Sequence, residues 1–268
     1  MRAPGMRWSP LSPIITALIA VSSHAIAQAG VARMDSVVAH TRPDASKLDP
    51  VVLTYIATLR QGADSARSLG ERSVQLARTT YAGQEAWEIV ETHGAGANAS
   101  VDTLVTDYTT LTPLHWGATQ QMPSSGTLGA AARVSIEFRA DSMIGVISAP
   151  SGRRTIVAPM PGGALLTAGQ TETALRALPI AAGWRDSISV VVTDVARTTV
   201  VPASLFVTGE EQLLTTAGTY DCWLVLLATE TGQTRYWVAK ADRVVVKTSQ
   251  VLPESGDVLQ YALTRVSH

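Results

Sequence analysis

A single cysteine, Cys222, stands in the chain, so no intrachain disulfide is available to hold the fold. No His or Lys lies beside it in sequence to lower its pKa, and Cys222 reads as a small buried hydrophobe before it reads as a reactive thiol. Charge is scarce as well: 16% of residues, with a formal net charge of -1. That balance leaves no electrostatic footprint for nucleic acid. Phe occurs only 2 times, and lysine only as Lys47, Lys240 and Lys247. Signatures of chemistry are missing too. His40, His93, His115 and His268 show no metal-ligand spacing, and there is no cysteine cluster. No Gly-x-Ser-x-Gly elbow and no phosphate-cradling glycine loop occurs. Asp102 and Asp107 stand five apart, on opposite faces of any strand that carries both, and Glu210-Glu211 reads as a solvated turn. The chain is therefore expected not to be an enzyme, and no catalytic residue, metal ligand or cofactor is assigned to it.

What is present begins with the N-terminus. Arg2 and Arg7 precede an apolar run from Ile14 to Val21, and Ala25-Ile26-Ala27 has the small-x-small pattern of a cleavage site. The run is short for a membrane span. Residues 1–27 are read as a signal peptide, and no Cys near the site forms a lipobox. The expected location is exported and periplasmic. Residues 28–50, broken by Pro43 and Pro50, form an N-terminal arm, and 51–268 a single β-rich domain.

Hydrophobic residues make up 46% of the chain, and Val and Thr are abundant. Segments that alternate apolar and polar residues, bounded by Gly, Asp and Ser, predict antiparallel strands. Val134, Ile136 and Phe138 face one way while Arg133, Ser135, Glu137 and Arg139 face the other. Trp87, Ile89 and Glu91 likewise share a face. From Gly218 to Val266 four such segments form a meander, with Trp223 as its expected core anchor. Thr171 to Ile180 is the one convincing helical patch, started by Thr and Glu and stopped by Pro179 and Gly183. About a dozen strands with little helix predict an open, half-closed antiparallel β-barrel or strongly curved sheet with a short helical lid.

The strand Tyr220 to Leu227 is apolar on both faces and so needs cover on both sides. Taken with the earlier strands, this predicts an apolar cavity lined by Trp87, Ile89, Val134, Ile136, Phe138, Tyr220, Leu224 and Leu226. Leu175 and Leu178 cover it. A packed core is the other way to fill the same space.

Several stretches resemble an exported bacterial family of unknown function that is itself similar to the periplasmic lipoprotein carriers of the LolA/LolB-like fold. They are Gly218-x-Tyr220-x-Cys222-Trp223, Tyr236-Trp237-Val238, Val244 to Lys247, Leu259-x-Tyr261-x-Leu263-Thr264, Asp102 to Asp107 with Leu111-Thr112-Pro113, and Leu175 to Ile180. The resemblance implies a half-closed barrel with a helical lid over a greasy cavity, and a carrier's role. Three readings follow. The first is a periplasmic, non-enzymatic carrier of an apolar ligand, a lipid or lipoprotein acyl chain. The second is a structural or envelope-assembly protein that binds envelope proteins through its sheet edges. The third, with least support, is an enzyme whose site gathers dispersed residues.

Overall fold

The computed structural model describes residues 41–62, 66–94, 99–121, 131–149, 152–159, 165–167, 170–193, 198–230, 232–252 and 255–268. The expected signal peptide lies outside the described residues. The period-two patterning becomes fifteen strands. They are β1 (Val51–Arg60), β2 (Ala66–Tyr81), β3 (Gln84–His93), β4 (Ser100–Asp107), β5 (Pro113–Gln121), β6 (Ala131–Phe138), β7 (Ser142–Ala149), β8 (Gly152–Pro159), β9 (Leu165–Thr167), β10 (Arg185–Thr193), β11 (Thr198–Thr215), β12 (Gly218–Thr229), β13 (Gly232–Ala239), β14 (Val245–Val251) and β15 (Val258–Ser267). One helix, α1 (Thr171–Ala177), and a 3-10 turn, Ala45–Lys47, complete the described elements.

All fifteen strands belong to one sheet, in the order β8-β7-β6-β5-β4-β3-β2-β1-β15-β14-β13-β12-β11-β10-β9. Each strand pairs with its neighbour in sequence except β8 with β9, and the two ends of the domain meet where β1 pairs with β15. Every pair is antiparallel except β9 with β10. A parallel pair needs a crossover, which the segment carrying α1 supplies. Strands β8 and β9, at the two edges, are not hydrogen-bonded to each other, so the sheet stays open. It curls nonetheless: β8 approaches β11 and β5 approaches β9. Register shifts at Thr54/Tyr55, Ala57/Thr58, Val105/Thr106, Val207/Gly209 and Trp237/Val238 add local twist that helps the curl. The expected open, curved antiparallel sheet with a short helix is what the chain forms.

Local chemistry sets the turns. Ala82 and Gly83 both take positive φ (49° and 82°), as a two-residue type I′ hairpin demands, and bring Tyr81 opposite Gln84. Asp107 accepts hydrogen bonds from the backbone and hydroxyl groups of Thr109 and Thr110, which closes the turn between β4 and β5. Gly145 sits opposite Ile136, and a Cβ there would collide with Ser135 O and meet Ile136 Cγ1 at 2.7 Å. The missing side chain is thus the space Ile136 fills.

The inner face of the curl holds one continuous apolar core that includes Val51, Leu53, Tyr55, Leu76, Trp87, Ile89, Leu104, Ile136, Met143, Leu175 and Leu205. The described part of the N-terminal arm packs into it. Ala45 and Leu48 are buried, Trp87 Nε1 donates to Ala45 O at 3.2 Å, and Asp44 N donates to Ala177 O at 3.0 Å.

Three segments depart from expectation. Gly152, a residue type that favours turns, instead opens the edge strand β8. Glu210 and Glu211 lie within β11, opposite Trp223 and Cys222, and are not a turn. The long pairing with β12 carries the strand past Gly209, where the register shift absorbs the irregularity. Trp223 is half-buried, with the Lys240 ammonium 4.3 Å from its ring centre, and is no core anchor. Cys222 is buried, and burial followed by the nearby Asp221 charge pushes its thiol up to about 11, so it is unreactive as expected.

Candidate functional site

Inner-face positions on β2, β3 and β4 should be apolar, yet several carry charge. Arg72 follows the same phase as Val74 and Leu76, and Glu91 that of Trp87 and Ile89. Strand pairing sets Arg72 opposite His93 and Glu91 opposite Asp102. Helix α1 brings in Glu172. Arg72 Nε donates to Glu91 Oε1 at 2.6 Å, and Arg72 Nη1 donates to Glu172 Oε1 at 2.7 Å. His93 Nε2 lies 2.5 Å from the same Glu91 oxygen. The guanidinium also sits near two aromatic faces, 5.3 Å from the Tyr55 ring centre and 4.8 Å from that of Tyr261.

Burial and pairing act against each other here. Burial alone pushes the Glu91 carboxyl up, but the Arg72 charge and the His93 contact outweigh it and hold the group at about 2. For Glu172 burial wins over Arg72, and its carboxyl is raised. Its Oε2 is buried without a hydrogen-bond partner. Asp102 is pushed up to about 6 by burial and then by the Glu91 charge. Arg72 stays ionised, because the two glutamates outweigh its desolvation. The cluster ties α1 to β2 and β3, and Asp102 changes charge close to neutrality.

Asp102→Asn removes a carboxylate whose ionisation the fold resists. The raised carboxyl binds a proton in the folded state that the unfolded chain has released. Its contribution to stability is therefore intact below the ordinary aspartate range and is lost as pH rises through about 6. The variant is expected to gain roughly 1–2 kcal/mol at pH 7, after allowance for partial exposure, and nothing below about pH 4. Urea unfolding of both proteins across this range checks it.

The expected lining residues divide into two sets. Trp87, Ile89, Ile136, Phe138, Leu175 and Leu178 are buried and join one core, and Val134 packs against it half-buried. Tyr220 and Leu224 also pack half-buried against it, whereas Leu226 does not join it. In β12 the buried residues are Cys222, Val225 and Leu227, the last two opposite Tyr236 and Thr234 on β13 and Val207 and Leu205 on β11. Leu226 is half-buried on the other side, between Phe206 and Arg235. Both faces of β12 being apolar, alternation alone gave no way to choose between them. The helix also sits elsewhere than over the whole inner face: its neighbours are β9, β14 and the 3-10 turn.

Beyond the helix the inner face continues as an apolar band across β4 to β8. One row runs Leu104–Trp116–Ile136–Gly145–Ile156 and the next Ala118–Val134–Ile147. Trp116, Val134 and Ile147 remain partly open to solvent, while Ile136, Met143 and Ile156 on the same strands and on β8 are buried.

The ionic cluster was not among the expected site residues. Its signal lay in the phase of Glu91, a carboxylate in step with Trp87 and Ile89. The partners of Arg72, Glu91 and Glu172, stand 19 and 100 residues from it in sequence.

Comparison with known proteins bears on the fold. The family model described as "Protein of unknown function (DUF3108)" matches residues 55–258. No curated protein matches the chain. Among solved structures, the chain is similar to a beta-barrel-like protein of domain of unknown function DUF1849 from Brucella abortus. The TM-score is 0.52 and the identity 10%, over 81% of this chain and 97% of that one. It is more distantly similar to the hypothetical lipoprotein YmcC from Escherichia coli, with TM-score 0.32 and identity 13% over 79% of this chain and 85% of that one. The first likeness concerns the fold alone, and the second is too slight to carry an argument. Among the described residues no helix is long and apolar enough to cross a membrane.

Proposed function

The chain belongs to the DUF3108 family of proteins of unknown function, and on that premise we propose that it is an exported, non-enzymatic carrier of an apolar chain, a lipid or lipoprotein acyl group. The observation that carries this reading is the incompletely covered apolar band on the inner face, where Trp116, Val134 and Ile147 pack against the core yet stay partly open to solvent. An alkyl chain laid along the band finishes the cover that α1 provides only over the other half of the sheet. Export rests on the charged start, apolar run and Ala25-Ile26-Ala27 of the N-terminus.

The energetics are sufficient. Burial contributes about 0.8 kcal/mol per CH₂. A chain of roughly sixteen carbons contributes about 13 kcal/mol when fully buried, which offsets about 4–5 kcal/mol lost on association and leaves about micromolar binding. Delipidated protein is expected to bind a fluorescent fatty acid saturably and to release it to unlabelled long-chain fatty acid. Val134→Asp is expected to weaken binding at least about tenfold, because the ligand must desolvate an unpaired carboxylate. Absence of saturable binding by the wild type contradicts the carrier reading.

A further inference from the structure

The second apolar face of β12 has its own surroundings. Across four strands the register runs Arg185–Phe206–Leu226–Arg235, so two apolar side chains stand between two arginines on the outer face. Arg185 and Arg235 are exposed, and Phe206 and Leu226 are half-buried. The neighbouring row runs Leu224–Trp237–Lys247. Arg235 lies 6.0 Å and Lys247 4.7 Å from the Trp237 ring centre. Burial lowers the Lys247 pKa, Glu211 opposes this, and the positive charges of Arg60 and Arg235 add to it. Glu211 itself is engaged by Trp237 Nε1 at 2.9 Å. In a chain whose net charge is -1, this face concentrates positive charge around apolar residues.

We propose that the outer face of β10–β14, centred on Phe206 and Leu226, rests on an anionic lipid surface. Arginine forks match phosphate oxygens, and a shallow apolar patch between them reaches the boundary of headgroups and acyl chains. Nucleic acid fits less well, since the centre of the patch is aliphatic and phenyl rather than polar. The face is distinct from the inner band, so the inference stands whether or not the protein carries an acyl chain.

The test is co-sedimentation of the full chain with vesicles of phosphatidylcholine alone and of phosphatidylcholine mixed with phosphatidylglycerol. Binding is expected on the anionic vesicles only, and raised salt should weaken it. The Arg185→Glu/Arg235→Glu variant should bind them about tenfold more weakly or worse. Its melting temperature and its fatty-acid displacement should match the wild type. Arg153→Glu, on the edge strand β8, should leave vesicle binding unchanged. The proposal is overturned by failure of the wild type to sediment with anionic vesicles, by equal binding to the neutral ones, or by a folded double variant that binds as well as wild type. Self-association through this face in place of vesicle binding overturns it too.

Discussion

Arg72→Met is expected to destabilise the protein by about 3–5 kcal/mol, the range for removing one partner of a buried ion pair. The substitution keeps most of the volume and removes the charge. Glu91 and Glu172, both buried, lose the guanidinium that bonds to each of them at 2.6 and 2.7 Å. Glu91 keeps the His93 contact, but Glu172 keeps no hydrogen-bond partner among the described residues and already has one oxygen unbonded. Tyr55 and Tyr261 lose the cation near their rings as well. The cost should shrink when the acids go too. Arg72→Met with Glu91→Gln and Glu172→Gln is expected to recover a substantial part of the loss, since a neutral cluster avoids uncompensated buried charge. Denaturant unfolding of the single and combined variants separates the charge effect from packing. A single variant within about 0.5 kcal/mol of wild type would mean that the cluster is open to water.

Trp87→Ala should cost a similar amount, about 3–5 kcal/mol, for a different reason. Trp87 is fully buried and stacks on Tyr108 with ring centres 5.4 Å apart. Its indole N–H lies 3.2 Å from Ala45 O and 3.1 Å from Tyr108 O. Truncation opens a cavity and also frees the arm segment around Ala45. Trp87→Phe keeps most of the ring and loses the donor, so it should cost clearly less. Trp223→Ala should fall well below both, because Trp223 is half-buried. Thermal unfolding of the three variants ranks them, and a Trp223 cost equal to that of Trp87 contradicts the packing described.

The fold was legible where polar and apolar residues alternate strictly. Val134, Ile136 and Phe138 against Arg133, Ser135 and Glu137 fix the faces of β6 without help from neighbours. Alternation fails where both faces are apolar. In β12 the choice between Leu226 and Leu227 was made by the register with β11 and β13, which are set by contacts across the sheet. Glu210 and Glu211 look like a turn beside Gly209, and only the pairing with β12 shows them to be strand. Half of the candidate site was visible: the inner-face apolar residues Trp87, Ile89 and Ile136 could be read from their phase. Arg72 could not be joined to Glu172, because a guanidinium's partner 100 residues away leaves no local pattern.

The carrier reading is tested most directly by native mass spectrometry of the mature protein purified gently from the exported fraction. The expected result is a protein carrying one acyl-chain adduct, lost on delipidation, restored by adding long-chain fatty acid, and absent from a folded Val134→Asp variant. A bare protein mass throughout, with no adduct after long-chain fatty acid is added back, would contradict it.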